Sequence, residues 1–250
     1  LNDYVLTSAI DTLKILDGIH NQNINDLSGI EDFLSLERLD VESNNLTSLD
    51  LSLNINLINL RCRTNQIISL NLSNNILLDY IDCSHNQIQS LDFSNNTSLT
   101  HISCFNNQIS SIILNGANAL TSLLCHDNQL SSLDLSSNLN LSYLECNFNQ
   151  LITLDLNSNS ALIFLNCSNN QLVSLDLSNG NNTNINVFNA TNNVSLTSIC
   201  VDDSTYSSNN WTNIDPQSYF SNSCLISNKT YVPDDNFENY LEANGMGDGI

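Results

Sequence analysis

Apolar residues recur along the chain with a period of 21 positions, from Leu36 to about Gly180. One unit has the pattern LxxLxCxxNQLxxLDLSxNxx, which residues 141–156 show clearly. Within that segment, Leu144 and Cys146 are two positions apart, so their side chains point to the same side of an extended strand. The pattern therefore predicts one short strand per unit, with its apolar side buried by stacking each unit on the next.

Two columns of identical residues keep this interval without insertion. The cysteines are Cys62, Cys83, Cys104, Cys125, Cys146 and Cys167, and the asparagines are Asn65, Asn86, Asn107, Asn128, Asn149 and Asn170. Stacked parallel strands hold equivalent Cβ atoms about 4.8 Å apart, beyond the roughly 3.5–4.5 Å of a disulfide. We predict that the cysteines are small buried hydrophobic residues, rather than a disulfide ladder or a metal site. We expect the asparagines to bond backbone groups of the turns that would otherwise be buried without partners.

The first eleven positions of the unit match the signature of leucine-rich repeats. This signature predicts a solenoid of the α/β type that consists mostly of strands, a right-handed horseshoe with its parallel sheet on the concave face. The unit is short for a leucine-rich repeat, and the Leu-Asp-Leu of its second half alternates again. We therefore expect the convex side to be extended or 3₁₀-like rather than helical.

The period divides the chain into four predicted segments. Residues 1–35 form an irregular N-terminal cap, residues 36–193 the solenoid, residues 194–229 a C-terminal cap, and residues 230–250 a linker and helix. Beyond Gly180 the pattern weakens, and a strict count of 21 places Phe188 where the next cysteine would stand. In the last segment Phe237, Tyr240 and Leu241 share one helical face, which predicts packing against another surface.

Two cysteines, Cys200 and Cys224, depart from the period and flank the only tryptophan, Trp211. Because the predicted C-terminal cap needs a cross-link to stabilise it, we predict a disulfide between these two cysteines. Such a bond is typical of an oxidising compartment, which favours an extracellular or cell-surface location.

Composition excludes several classes of function. The chain has 5 lysine and arginine residues against 26 aspartate and glutamate residues, a net charge of −21, so it cannot neutralise a nucleic-acid backbone. No stretch reaches the roughly 18 consecutive apolar residues of a membrane span. We predict no enzyme and no cofactor, because only four histidines occur and the periodic cysteines are expected to be buried. We predict no metal site either, because the aspartate column of the second half offers one carboxylate per unit and Asn71 and Ile113 interrupt it.

The positions predicted to point outward from the strands vary between units, and rings and cations are concentrated there. They include Tyr80, His101, Phe105, His126, Tyr143, Phe148, Phe164, Arg61 and Arg63. Exposed rings on a sheet supply contact area for recognition, although single apolar side chains are normal on any protein surface. We predict that this face binds a protein or a glycan; the alternative is variation without a function.

Three further stretches carry a family resemblance: Val-Leu-Thr-Ser-Ala-Ile at residues 5–10, Asp-Leu-Ser-Gly-Ile-Glu-Asp-Phe at residues 26–33, and residues 181–215. With the repeat, they resemble secreted or surface leucine-rich-repeat proteins of Bacteroidetes-type bacteria and, more distantly, internalins. The resemblance implies display at the cell surface or in large secreted proteins, with recognition or adhesion as the role. It implies no shared catalytic residues.

The closing phrase Val-Pro-Asp-Asp-Asn-Phe at residues 232–237 normally precedes the opening cap in proteins of this kind, and here it comes last. This order implies one unit of a tandem array, in which Phe237, Tyr240 and Leu241 dock onto a neighbouring copy. The alternative function is therefore a structural spacer in a tandem-repeat surface protein.

Overall fold

The computed structural model describes residues 5, 6, 8 and 10–223, and within them the chain forms a parallel β-solenoid. Each coil contributes one short strand to a long sheet and returns through turns and extended segments. In chain order the strands are β1 (Ile15–Leu16), β2 (Arg38–Asp40), β3 (Asn59–Arg61), β4 (Tyr80–Asp82), β5 (Ser90–Asp92), β6 (His101–Ser103), β7 (Ser111–Ile113), β8 (Ser122–Leu124), β9 (Tyr143–Glu145), β10 (Thr153–Asp155), β11 (Phe164–Asn166), β12 (Ser174–Leu177), β13 (Val187–Asn189), β14 (Ser198–Val201) and β15 (Tyr219–Ser221).

Nine of these strands form the front sheet, in the order β1-β2-β3-β4-β6-β8-β9-β11-β13. The pairing is parallel and in register, so Ile81 of β4 lies between Leu60 of β3 and Ile102 of β6. In β4 the central residue is buried and its two neighbours are partly exposed, and β2, β3, β8, β9 and β11 repeat this alternation. The predicted solenoid with its 21-residue repeat is confirmed.

The back of the solenoid is extended rather than helical, as predicted. Strands β5 and β7 pair in one short sheet, and β10, β12, β14 and β15 form a second, parallel one. The one α-helix among the described residues is α1 (Ser204–Asn210), near the C-terminal end, and 3₁₀ turns span Ile30–Asp32 and Asn182–Asn184. No helix of this part of the chain is long and apolar enough to cross a membrane.

The aspartates of the back bond their own turns. Asp92 Oδ1 accepts a hydrogen bond from the backbone nitrogen of Ser94 at 2.9 Å, and Asp134 Oδ1 accepts one from Ser136 at 3.0 Å. Both bonds stabilise the ionised carboxylate, so the pKa of each carboxyl is lowered. The aspartates of this column therefore stabilise the turns, and their charged carboxylates are exposed to solvent.

All six periodic cysteines are free thiols in the core, and none exposes any surface. Burial disfavours the thiolate, which raises the pKa of Cys125 and of Cys167 to about 12. The same cause raises the pKa of the other four thiols well above its usual range. The thiols therefore act as small apolar side chains that allow close stacking of the coils.

The periodic asparagines fasten neighbouring coils. Asn149 Nδ2 donates to the carbonyl oxygens of Cys146 at 3.1 Å and of Cys125, one coil earlier, at 3.0 Å. Its Oδ1 accepts from the backbone nitrogen of Leu130 at 2.9 Å. The equivalent amides of Asn65, Asn86, Asn107, Asn128 and Asn170 repeat these three bonds.

A second asparagine column, which the sequence analysis did not single out, runs along the back. Its members Asn54, Asn75, Asn96, Asn138 and Asn159 are fully buried. Asn75 Nδ2, for example, donates to the carbonyl oxygens of Leu51 at 3.1 Å and Asn54 at 2.9 Å, both in the preceding coil. Ala117 takes this position in the coil between Asn96 and Asn138, so that coil lacks the bonds.

The structure corrects the predicted register of the coil after Cys167. Phe188 of β13 pairs with Leu165, so it belongs to the leucine ladder and Ala190 occupies the cysteine position. The prediction from a strict period was wrong because 23 positions, rather than 21, separate the paired residues of β11 and β13. Asn193 then continues the front asparagine column, with Nδ2 bonds to Ala190 at 2.9 Å and Cys167 at 3.2 Å.

The described C-terminal residues close the end of the front sheet. Trp211 stacks on Phe188 with ring centroids 4.5 Å apart, and its indole nitrogen donates to the carbonyl oxygen of Ile185 at 3.3 Å. The Asp215 carboxylate accepts from the backbone nitrogens of Asn192 at 2.8 Å and Asn193 at 2.6 Å. In earlier coils the backbone nitrogen at this position donates to a carbonyl oxygen of the next coil, as Asn169 does to Thr191. At Asn192 the Asp215 carboxylate takes the place of that carbonyl.

Several predictions fall outside the described residues. Cys200 is buried in β14, but its predicted disulfide partner Cys224 lies beyond residue 223. The helical face of Phe237, Tyr240 and Leu241 also lies there. The predicted disulfide, the docking helix and the boundaries of the last two segments therefore stay predictions. In the predicted N-terminal cap, β1 already pairs with β2.

Candidate recognition surface

The outward side chains of the front sheet and of the turns that follow its strands form one exposed surface, which we call the sheet face. The in-register pairing brings side chains of equal position next to one another in successive coils. All nine predicted ligand-binding residues lie on this surface: Arg61, Arg63, Tyr80, His101, Phe105, His126, Tyr143, Phe148 and Phe164. Most of them are partly buried by each other, and His101 and Phe148 are exposed.

Phe105 contacts a histidine on each side. Its ring stacks on the imidazole of His126, with centroids 4.4 Å apart and planes 14° apart. His85 approaches it edge-on from the preceding coil, at 5.0 Å and 78°. Pairs of aromatic rings in such arrangements contribute about 0.5–1.5 kcal/mol each beyond the area that they bury. The three rings therefore hold one another in a fixed orientation.

Tyr143 and Phe164 form a second stack, with centroids 4.1 Å apart and planes 12° apart. The Tyr143 hydroxyl donates to Glu145 Oε1 at 2.5 Å. Burial, followed by this hydrogen bond and the negative charge of Glu145, raises the pKa of Tyr143 to about 12. The phenol therefore stays a hydrogen-bond donor at neutral pH.

Glu145 joins the two stacks. Its second oxygen, Oε2, lies 3.6 Å from Nε2 of His126, while Nδ1 of the same imidazole lies 2.7 Å from Asp127 Oδ2. Carboxylates thus face both nitrogens of His126 and orient its ring. We call the connected group the ring cluster; it consists of His85, Phe105, His126, Glu145, Tyr143 and Phe164.

Cations flank the N-terminal end of the ring cluster. The guanidinium carbon of Arg63 lies 5.6 Å from the ring centroid of Phe105, and that of Arg61 lies 5.4 Å from Tyr80. Both distances are within the roughly 6 Å of cation–π attraction. Tyr80 in turn lies 6.2 Å from His101. The structure therefore extends the aromatic contacts over five adjacent strands, β4 to β11 of the front sheet.

Phe148 stands apart from the stacks and is 52% exposed. Its φ of 52° lies in the left-handed region, which is unfavourable for a bulky side chain and costs on the order of 1–3 kcal/mol. The turn imposes this conformation in every coil, at Ser43, Thr64, His85, Asn106, Asp127, Phe148, Asn169 and Asn192. Asparagine and aspartate tolerate it best, so a phenylalanine there is a local cost to stability.

In residues 10–223 no group of three or more histidine, cysteine, aspartate or glutamate side chains is arranged to hold a metal ion. The periodic thiols point into the core, and their raised pKa keeps them protonated. They therefore present no nucleophile to a substrate.

Glu145 and Asp127 were not among the predicted site residues, although both shape the ring cluster. A sequence signal for Glu145 exists, because it lies two positions after Tyr143 on the same strand and so points to the same side. Asp127 carries no such signal, since its contact with His126 depends on the left-handed turn.

The chain is similar to solved structures but not to protein-family models or curated sequences. No protein-family model matches the chain, and curated protein sequences give no match. Solved structures do match. A leucine-rich-repeat protein of Leptospira interrogans superposes with a TM-score of 0.60 at 17% identity, over 88% of this chain and 61% of that one. The chain has the leucine-rich-repeat fold.

Two further structures also match the chain. A chain of the Toll–Spätzle complex of Drosophila matches at a TM-score of 0.63 and 18% identity, over 76% of this chain and 29% of that one. The functional domain of InlJ from Listeria monocytogenes, which includes a cysteine ladder, matches at 26% identity and a TM-score of 0.46, over 86% of this chain and 63% of that one. The chain thus spans less than two thirds of each of these structures.

Proposed function

We propose that the chain is a non-enzymatic recognition module that binds a protein or a glycan through the sheet face. The ring cluster is the observation that carries this proposal. It presents five rings and the Glu145 carboxylate from five adjacent coils, and these side chains contact one another without any ligand. Side chains that are ordered in advance lose little entropy on binding, and aromatic residues and arginine dominate interface energetics.

The orientation of the rings favours a protein over a glycan. A sugar binds best against the open face of an aromatic ring, and stacking removes one face from each ring of the pairs Tyr143–Phe164 and Phe105–His126. All four rings are partly exposed, with the Arg63 guanidinium near Phe105 and the Glu145 carboxylate at the Tyr143 hydroxyl. Aliphatic and charged side chains of a polypeptide fit such a mixed surface. A chain of the Toll–Spätzle complex has the same fold, and it offers a precedent for this fold in a complex between proteins.

We also propose that the module acts outside the cell, in an adhesion or recognition protein that is secreted or displayed on a bacterial surface. The family resemblance to Bacteroidetes-type proteins supports this, as does the predicted disulfide between Cys200 and Cys224. The role as a spacer in a tandem array is the alternative, and it depends on residues 230–250.

A matched pair of triple variants tests the proposal. The first replaces Tyr143, Phe148 and Phe164 with serine; the second, its control, replaces Ile55, Ile76 and Leu139, which expose 53–57% of their surface away from the front sheet. Wild type and variants are screened against arrays of surface proteins and glycans, with circular dichroism as the measure of folding.

We expect the wild type to bind, the control to bind equally, and the sheet-face variant to lose at least about tenfold in affinity, or about 1.4 kcal/mol. A folded sheet-face variant that binds as tightly as the wild type contradicts the proposal and favours the spacer.

A further inference from the structure

One coil departs from the repeat on the back of the solenoid. In the coil that contains β7, Ile113 stands in the aspartate column and is 42% exposed. Ile112, at a position where the other coils bury leucine, is only partly buried, and Ala117 interrupts the second asparagine column. A sequence that breaks its own pattern at several positions of one coil suggests a constraint other than folding.

This coil leans toward the coil before it. A Cβ atom on Gly116 would lie 1.9 Å from the carbonyl oxygen of Ser94, so only glycine permits the approach. On its other side, residues 132–134 of the following coil form no strand, and the back sheet is interrupted there. On the back, therefore, no strand pairing joins the two coils, which are linked there by hydrogen bonds from Asn138 Nδ2 to the carbonyl oxygens of Leu114 and Ala117 and leave a space beside Ile113.

An open cavity of about 180 Å³ occupies this space. It is lined by Ile112, Ile113, Leu114, Asn115, Asp134 and Ser137. The volume is roughly six times the ~30 Å³ that a water molecule occupies in the liquid. It is therefore large enough for one extended side chain, with an aliphatic wall from one coil and a carboxylate from the next.

We propose that this cavity binds the lysine side chain of a partner polypeptide. The methylene stem packs against Ile112, Ile113 and Leu114, and the ammonium group pairs with the Asp134 carboxylate. Long cationic side chains bury their stems on apolar surface and keep the charged end at a polar rim. An uncharged aliphatic side chain would instead cover the carboxylate without compensating its charge.

The charge of the chain supports a cationic occupant. With a net charge of −21, the protein attracts lysine-bearing partners over a distance. Asp92 and Asp155 occupy the same column one coil before Ile113 and one coil after Asp134, which adds to the negative potential at the cavity. The site lies on the opposite side from the sheet face and does not depend on the proposed ligand there.

Pentylammonium serves as a probe with the charge and stem of a lysine side chain, and pentanol as its uncharged counterpart. Carbon-13 methyl resonances of Ile112 and Ile113 report binding in the intact protein. We expect saturable shifts with pentylammonium at about millimolar concentration and binding of pentanol that is weaker by about three- to fivefold. Added salt should weaken pentylammonium binding and leave pentanol binding unchanged.

Asp134→Asn and Asp176→Asn form the matched pair of variants. Both aspartates belong to the same column and accept a hydrogen bond from the backbone two residues on, but only Asp134 lines the cavity. We expect Asp134→Asn to weaken pentylammonium binding by about three- to fivefold and Asp176→Asn to leave it unchanged. Absent shifts, equal affinity for pentanol, or an equal loss in both variants would overturn the proposal.

Discussion

The side-chain nitrogen of Asn149 lies 3.0 Å from the carbonyl oxygen of Cys125, and the hydrogen bond that it donates joins one coil to the coil before it. The oxygen of the same amide accepts from Leu130, also in the earlier coil. One side chain thus satisfies backbone groups on both sides of a coil boundary. Because these groups are buried, losing the amide leaves them without partners.

Asn149→Ala should therefore lower the free energy of unfolding by about 1–3 kcal/mol. Urea denaturation measures this change. Gln150→Ala, at the adjacent exposed position, is the control and should alter stability by less than about 0.5 kcal/mol. Equal effects of the two substitutions would show that the amide bonds do not stabilise the coil boundary.

Phe148→Asn should raise stability and reduce ligand binding together. Asparagine adopts the left-handed conformation at lower cost than phenylalanine, so we expect a gain of roughly 0.5–1 kcal/mol. The same change removes an exposed ring from the sheet face. Thermal unfolding and a binding assay measure the two effects. Ile152→Asn, at an exposed position outside the turn, should give no gain; a stability loss at Phe148→Asn would contradict the strain.

Gly116→Ala should destabilise the protein by about 1–3 kcal/mol, because the added methyl group meets the backbone carbonyl of Ser94 and the coil must shift. Ser137→Ala, at the equivalent position of the next coil, should change stability by less than about 0.5 kcal/mol. Chemical denaturation of both variants measures the difference. Unaltered stability of Gly116→Ala would mean that the coils are not closely packed there.

Thiol labelling tests the two classes of cysteine. In the native protein the six periodic thiols should not react with an aromatic disulfide reagent at neutral pH, because they are buried and protonated. After denaturation without reductant, those six should react. Reduction should then reveal the remaining two of the eight cysteines. Eight reactive thiols before reduction would disprove the Cys200–Cys224 disulfide, and rapid labelling of the native protein would contradict burial.

Stability should fall as the pH rises above about 9. Below about pH 8 the thiols are mostly protonated in both states. Above it, unfolded thiols ionise while the folded ones, with a pKa of about 12 at Cys125 and Cys167, do not, so proton loss favours unfolding. Tyr143 adds to the loss between about pH 10 and 12. Urea midpoints across this range measure it, Cys125→Ala should make the decline shallower, and a constant midpoint would contradict the prediction.

Much of the fold could be predicted because a solenoid repeats the same local structure in every coil. The spacing of Leu144 and Cys146 indicated the strand, and its recurrence every 21 residues indicated the register that the front sheet shows. The same assumption failed at Phe188, because a fixed period cannot reveal two extra residues in a turn. The second asparagine column stands in the repeat pattern as its second asparagine, but the exposed Ser and Asn residues around Asn75 and Asn96 gave no sign that these two are buried.

The candidate site was less predictable. Sequence indicated which rings face outward, but the stacking of Tyr143 on Phe164 depends on side-chain rotamers and on the distance between coils. The link from Tyr143 to His126 through Glu145 likewise depends on where a flexible carboxylate settles. The cavity beside Ile113 lies between two successive coils on the back, and its shape depends on how they pack, which no linear pattern expresses.

The coils between β3 and β11 have the same length, because paired residues of successive front strands are 21 positions apart. Equivalent residues such as Leu60 and Ile81 pair in register in successive coils. Deleting or duplicating a 21-residue block in that stretch therefore joins strands in the same register and leaves both ends of the solenoid unchanged. Recombination within the gene can thus change the length of the solenoid by whole coils. Variants of the protein can therefore differ in the number of coils and, independently, in their exposed side chains, while the fold stays the same.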